Sequence, residues 1–349
     1  MTEPIQIAEL VRGVIAGEVR AIARALRVVD DRADGFLALL TSLFPHSGRA
    51  YLIGVTGMPG SGKSTLVDRL IEAYRARDQR VAVVAVDPTS PFSGGAILGD
   101  RIRMQRHFLD DGVFIRSLAT RGALGGLSRS AGDLTRVLDA AGYDVVIVET
   151  VGVGQDELEV ARLAHTTIVV MAPGMGDDIQ AIKAGILEIA DVFAVNKADR
   201  PGADATMRDL EQMIALDSVV GSDVSGHHRV AVAHDSGGAT ATAAAGIDAW
   251  VPPVVKTVAA QGVGTELLVE ACDLHRAHVR ETDAGSRREA ERRDHELRGI
   301  FRDTLYREAE ERVRHQLTDA LDAIADRTDD PYSVSTRLVQ LLLGEGERP

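Results

Sequence analysis

Residues 51–65 read YLIGVTGMPGSGKST, a short β-branched apolar run that passes straight into a glycine-rich turn and then a lysine. From Gly57 to Ser64 the pattern is G-x-x-x-x-G-K-S. Glycines there let backbone N–H groups converge on phosphate oxygens, Lys63 adds a point charge for the β and γ phosphates, and the Ser64 hydroxyl suits magnesium. Leu66, Val67 and Leu70 then follow at helical spacing, so the turn opens a helix whose positive end faces the same phosphates. Strand, phosphate loop and helix in this order predict an α/β chain with a nucleoside-phosphate site. Gly57, Pro59, Gly60, Ser61, Gly62, Lys63, Ser64 and Thr65 are its expected nucleotide-contacting residues.

Further runs of the same texture lie at Val81–Val86, Val145–Val148, Thr167–Met171 and Val192–Val195, with helical stretches between them. Continuous short apolar runs are what strands buried on both faces of a parallel sheet look like. The expected fold is a mostly parallel sheet with helices on both faces. The last of these runs ends in Asn196-Lys197-Ala198-Asp199, or N-K-x-D. Guanine presents N1–H and an exocyclic amine side by side, so one carboxylate, Asp199, accepts from both; adenine lacks that pair. The strand-end position is where ligands bind in such sheets. Thr257, Val258 and Ala259, after a late strand at Val254-Val255, are expected to offer backbone N–H groups to the guanine carbonyl. Asp87 and Glu149 end two other strands and suit magnesium or its water shell. Gly152 suits a backbone N–H that senses the γ-phosphate. Asp100, in a glycine-rich stretch, reads on its own as a helix N-cap as readily as a ligand. Gln155 is the candidate for positioning the attacking water.

The flanks are different. Residues 1–48 read as a helical extension, residues 49–265 as the nucleotide domain, and residues 266–349 as a charged helical region. Within the last, Leu297, Ile300, Phe301, Leu305 and Tyr306 form an apolar stripe that needs a partner, either a second chain or the parent domain. Residues 217–247, rich in Gly, Ala, Ser and His, read as a loop or insertion with a short hairpin near Val230–Ala233. A net charge of −13 argues against nonspecific nucleic-acid binding, which depends on excess positive charge. No apolar run is long enough to span a membrane, no secretory leader is recognisable, and the one cysteine, Cys272, has no internal partner. These point to a cytoplasmic protein.

Several longer strings carry a resemblance. They are the phosphate loop, DPTSPF at 87–92, GGAILGD at 94–100, SLATRGALGG at 117–126, ETVGVGQ at 149–155, PGMGDD at 173–178 and N-K-x-D. Together they resemble the MeaB/ArgK-type GTPases, which include the human methylmalonic aciduria type A protein, over roughly residues 50–216 and 250–285. The resemblance implies a GTP-hydrolysing chaperone of an adenosylcobalamin-dependent acyl-CoA mutase, gating cofactor loading and clearing damaged cofactor. It implies that Ser64, Asp87, Asp100 and Glu149 surround Mg2+. It also implies that residues 174–185 are a mobile switch whose Lys183 acts in catalysis when the mutase binds, and that the chain is a homodimer through its C-terminal helices. Two departures stand out: the insertion at 217–247 is longer than the family resemblance leads one to expect, and Ala119 and Thr120 stand where relatives often have a Pro or Ser. The rival readings are a nickel-insertase-type metal-delivery GTPase, which calls for a Cys/His cluster, and a small-molecule kinase, which has no use for N-K-x-D. His227-His228 offers the only histidine pair and lacks partners in sequence.

Overall fold

The computed structural model describes residues 6–88, 105–107, 109–120, 126–150, 156–174, 186–220 and 250–343. Seven strands form one sheet: β1 (Tyr51–Gly57), β2 (Val81–Pro88), β3 (Val113–Thr120), β4 (Val145–Thr150), β5 (Thr166–Met171), β6 (Val192–Val195) and β7 (Val254–Lys256). Their order is β3-β2-β4-β1-β5-β6-β7, and every pairing is parallel. β1 is central, with Val55 opposite Glu149 of β4 on one side and Ile168 of β5 on the other. Parallel pairing gathers the C-terminal strand ends along one edge, and the chain switches direction there about β1.

Both faces of the sheet are buried, which explains the unbroken apolar runs. Along β2 and β4, Ala82, Val84, Val86, Val146 and Val148 join one core, whereas Val81, Val83, Val145 and Ile147 join the other. The first core takes in the helices α1 (Ile7–Ile15), α2 (Val19–Asp30) and α3 (Phe36–Leu43) through Leu10, Val14, Ile22, Leu26, Leu39 and Leu43. The expected N-terminal helices are therefore packed into the same core as the sheet. The second core is closed by α4 (Lys63–Arg75) and by Leu268, Val269 and Cys272 of a late helix, Thr265–Glu281. A third cluster joins Met171 and Phe193 to Leu210 of the helix Ala203–Val220.

One element was not foreseen. β3 pairs with β2 over eight residues, from Val81↔Val113 to Pro88↔Thr120. It is an edge strand carrying Arg116, which pairs with Asp30 of α2 at 3.1 Å, so its charge masks the apolar run that marks the inner strands. The hairpin expected near residues 230–233 lies outside the described residues.

The chain divides into two compact units, Met1–Arg292 and Arg293–Pro349. In the second, the helix Pro331–Leu343 starts on Asp330, whose Oδ1 accepts from the N–H groups of Tyr332 and Ser333, both at 3.0 Å. Pro331 in the first helical position completes that cap. Leu297, Phe301 and Leu305, three residues of the sequence stripe at four-residue spacing, are 66%, 65% and 58% exposed. No helix among the described residues is long and apolar enough to cross a membrane.

Candidate functional site

The phosphate loop exists because β1 and β5 approach too closely for a side chain. Gly57 has φ +128°, and a Cβ there would lie 2.2 Å from the carbonyl oxygen of Val170. Gly62, at φ +97°, starts α4; a Cβ on it would sit 2.4 Å from the amide nitrogen of Asn196. Lys63 and Ser64 therefore open α4, at the end of the helix that carries the positive end of its dipole. The Lys63 ammonium donates to Gly57 O at 2.6 Å and Met58 O at 3.0 Å, which folds it back over the loop. The Ser61 hydroxyl is buried with no hydrogen-bond partner among the described residues, while Pro59 and Gly60 are exposed. A buried donor in a loop of this shape suits an anionic oxygen.

On the β4 side, Ser64 Oγ donates to Glu149 Oε1 at 2.6 Å. Glu149 is 4% exposed and belongs to the sheet itself, opposite Val55 of the strand that feeds the loop. Thr150 donates to Thr56 at 3.0 Å and ties the two strand ends. A hydroxyl and a carboxylate side by side form an all-oxygen donor set, the chemistry that a hard divalent cation takes. Asp87 lies near the end of β2, its backbone opposite Ala119 of β3, and thus at the same edge of the sheet. Asp100, Gly152, Gln155 and Lys183 lie outside the described residues. No group of three or more His, Cys, Asp or Glu side chains able to hold a metal occurs among the described residues.

The base side is organised by Asn196. Its side-chain nitrogen donates to Ser61 O at 2.9 Å, and its oxygen accepts from Ala259 N at 3.0 Å and Thr257 Oγ1 at 3.3 Å. One amide, 2% exposed, thus fastens the phosphate loop to the loop after β7. Lys197, at φ +57°, turns the chain and donates to Gly60 O at 2.6 Å. Asp199 is exposed and makes no hydrogen bond or ion pair with a described residue. The N–H groups of Thr257, Val258 and Ala259 are already given to Val195 O, Val263 O and Asn196 Oδ1 at 2.9, 2.9 and 3.0 Å. The next N–H, that of Ala260, is engaged by no described residue. Sequence reading also missed Arg69, which donates to Ala259 O at 2.9 Å and Ala260 O at 3.1 Å; an arginine on a helix carries no motif signal. The Cys272 thiol is fully buried and burial raises its pKa, so it is not a nucleophile.

Comparison with known proteins bears on the family and the fold. The family model described as "Methylmalonyl Co-A mutase-associated GTPase MeaB" matches residues 22–314. A Pyrococcus abyssi protein bearing a GTPase name is 39% identical over 97% of this chain and 98% of its own. The GTPase ArgK of Escherichia coli is 44% identical over 57% of this chain and 61% of its own. A crystal structure described as a LAO/AO transport system kinase superposes with a TM-score of 0.63, covering 98% of this chain and 99% of the other at 24% identity, and shares the fold.

Proposed function

This chain belongs to the MeaB family of GTPases, and from that premise we propose that it hydrolyses GTP with magnesium and serves an adenosylcobalamin-dependent acyl-CoA mutase as a chaperone that gates cofactor loading and removal. The observation that carries the guanine reading is the Asn196 amide, which joins the phosphate loop to the loop after β7, with Asp199 exposed three residues further along the chain. Asp199 accepts from the paired N1–H and N2 donors of guanine, a charge-assisted contact adenine does not offer.

The residues then divide the work. The α4 N-terminus, Lys63 and Ser61 hold and orient the phosphates, aligning the γ-phosphoryl for in-line attack. Ser64 and Glu149 would hold magnesium, with Asp87 and Asp100 as further candidate ligands. When bound, it would supply positive charge to offset the negative charge that shifts during phosphoryl transfer. Gln155 orients the water and Gly152 reads the γ-phosphate. The mutase brings Lys183 toward the transferring group, where a cation acts as an arginine finger does.

Two measurements test this reading. Calorimetry is expected to show GDP binding at least tenfold tighter than ADP, a difference of about 1.4 kcal/mol; equal affinities would remove the GTPase reading. Lys183→Ala is expected to keep basal GTP turnover nearly intact and to lose stimulation by saturating mutase. Equal stimulation of both proteins would remove Lys183 from the coupling.

A further inference from the structure

Arg69 stands on α4, outside every motif of the site, yet it holds the base loop from beneath. Its Nε donates to Ala259 O at 2.9 Å and its Nη2 to Ala260 O at 3.1 Å. Its Nη1 is held in turn by Glu72 at 2.8 Å, one turn along the same helix. Glu72 also pairs with Arg106, so the guanidinium is steadied from its far side. A planar fork with three of its nitrogens committed has little freedom left.

The consequence follows from peptide geometry. In a trans peptide the C=O and the next N–H point in opposite directions. The Ala259 carbonyl accepts from Gly262 N–H at 3.2 Å within the turn and from Arg69 on the α4 side, so the N–H of Ala260 is turned to the opposite side of the loop and the guanidinium adds to what holds it there. The preceding N–H, that of Ala259, is meanwhile pinned to Asn196 Oδ1 at 3.0 Å, which fixes the other side of the same residue. Between these two clamps the Ala260 N–H becomes an oriented donor. Such a donor favours a base with a carbonyl at its edge and disfavours one with an amine there, because two donors would face each other.

We propose that Arg69 is a positioning residue for base selection, aiming the Ala260 N–H at the guanine carbonyl and against the adenine amine. The proposal rests on the guanine reading of the site and adds to Asp199 a second, opposite edge of discrimination. The guanidinium is committed to the Ala259 and Ala260 carbonyls, so in this proposal Arg69 acts through the loop.

The test is calorimetry of GDP, ADP and inorganic pyrophosphate on the unaltered chain, Arg69→Met, Arg69→Lys and Asp199→Asn. Arg69→Met keeps the side-chain length and removes the fork. It is expected to lower the GDP-over-ADP ratio at least fivefold while pyrophosphate affinity stays within twofold, and Arg69→Lys is expected to recover part of the ratio. An unchanged ratio in Arg69→Met would overturn the proposal, as would an equal loss for all three ligands, which marks a merely structural arginine. If the unaltered chain shows no GDP preference, and Asp199→Asn therefore changes nothing, the guanine reading itself fails and the proposal with it.

Discussion

Nucleotide selectivity and pH response are expected to rest on single side chains. Asp199 is exposed and unengaged by described residues, so replacing it should leave the fold alone. Asp199→Asn exchanges one acceptor oxygen for a donor amine, which suits the C2 carbonyl of xanthine. We expect guanine affinity to fall at least tenfold, about 1.4 kcal/mol, and xanthosine diphosphate to bind better than GDP, as read by calorimetry. His165 governs a different property. Its Nδ1 accepts from Leu52 N–H at 3.0 Å, which requires the neutral ring, and burial followed by the nearby Arg292 charge lowers its pKa to about 4. The folded pKa lies below the ordinary value near 6.5, so the unfolded chain takes up the proton first as pH falls. This residue's contribution is complete above about pH 6.5 and is lost between there and about pH 4. Allowing for its part exposure, we expect about 2 kcal/mol less stability over that window, and a flatter profile for His165→Asn, whose Oδ1 accepts without titrating. Urea denaturation at stepped pH measures both; an unaltered slope in the variant would clear His165.

At the scale of elements, the phosphate loop is made by the crowding of β1 against β5 as much as by its own glycines. Gly57→Ala would place a methyl 2.2 Å from Val170 O at a φ of +128°. Backbone strain and overpacking together should cost about 3 kcal/mol and spoil phosphate binding. Gly132 offers the opposite case within the helix Gly126–Ala140. An added Cβ there meets only Leu163 Cδ1, at an ordinary 3.4 Å. Gly132→Ala should stabilise by up to about 1 kcal/mol, because a helix-interior glycine gives up the most backbone entropy. Opposite shifts of the denaturation midpoint are the expected result; a loss in both would mean that the helix cannot take the methyl. Elements were legible in sequence where they are buried on both faces, as β1, β2, β4, β5 and β6 are. β3 escaped because an edge strand with Arg116 paired to Asp30 has no continuous apolar run to show.

For the whole molecule, the exposed Leu297, Phe301 and Leu305 of the second unit suit a second copy of the chain, since exposed apolar residues gathered on one helix face mark an interface. We expect sedimentation to give a dimer, and Phe301→Asp to shift it to monomer while GDP affinity holds; a monomeric unaltered chain would end that reading. The sequence by itself determined the strand–loop–helix unit at 51–75, the parallel sheet class and the two nucleotide signatures, because each is written in consecutive residues whose spacing carries the chemistry. Only the tertiary structure decided which strands are neighbours. It set β4 beside β1, which brought Ser64 to Glu149 across eighty-five residues of chain, and β6 beside β7, which gave Asn196 its two loops. It also decided that Arg69, silent in any motif, reaches the Ala259 and Ala260 carbonyls. The physical reason is that parallel strands pair through crossovers, so the order of the sheet depends on which buried faces fit together and not on proximity along the chain.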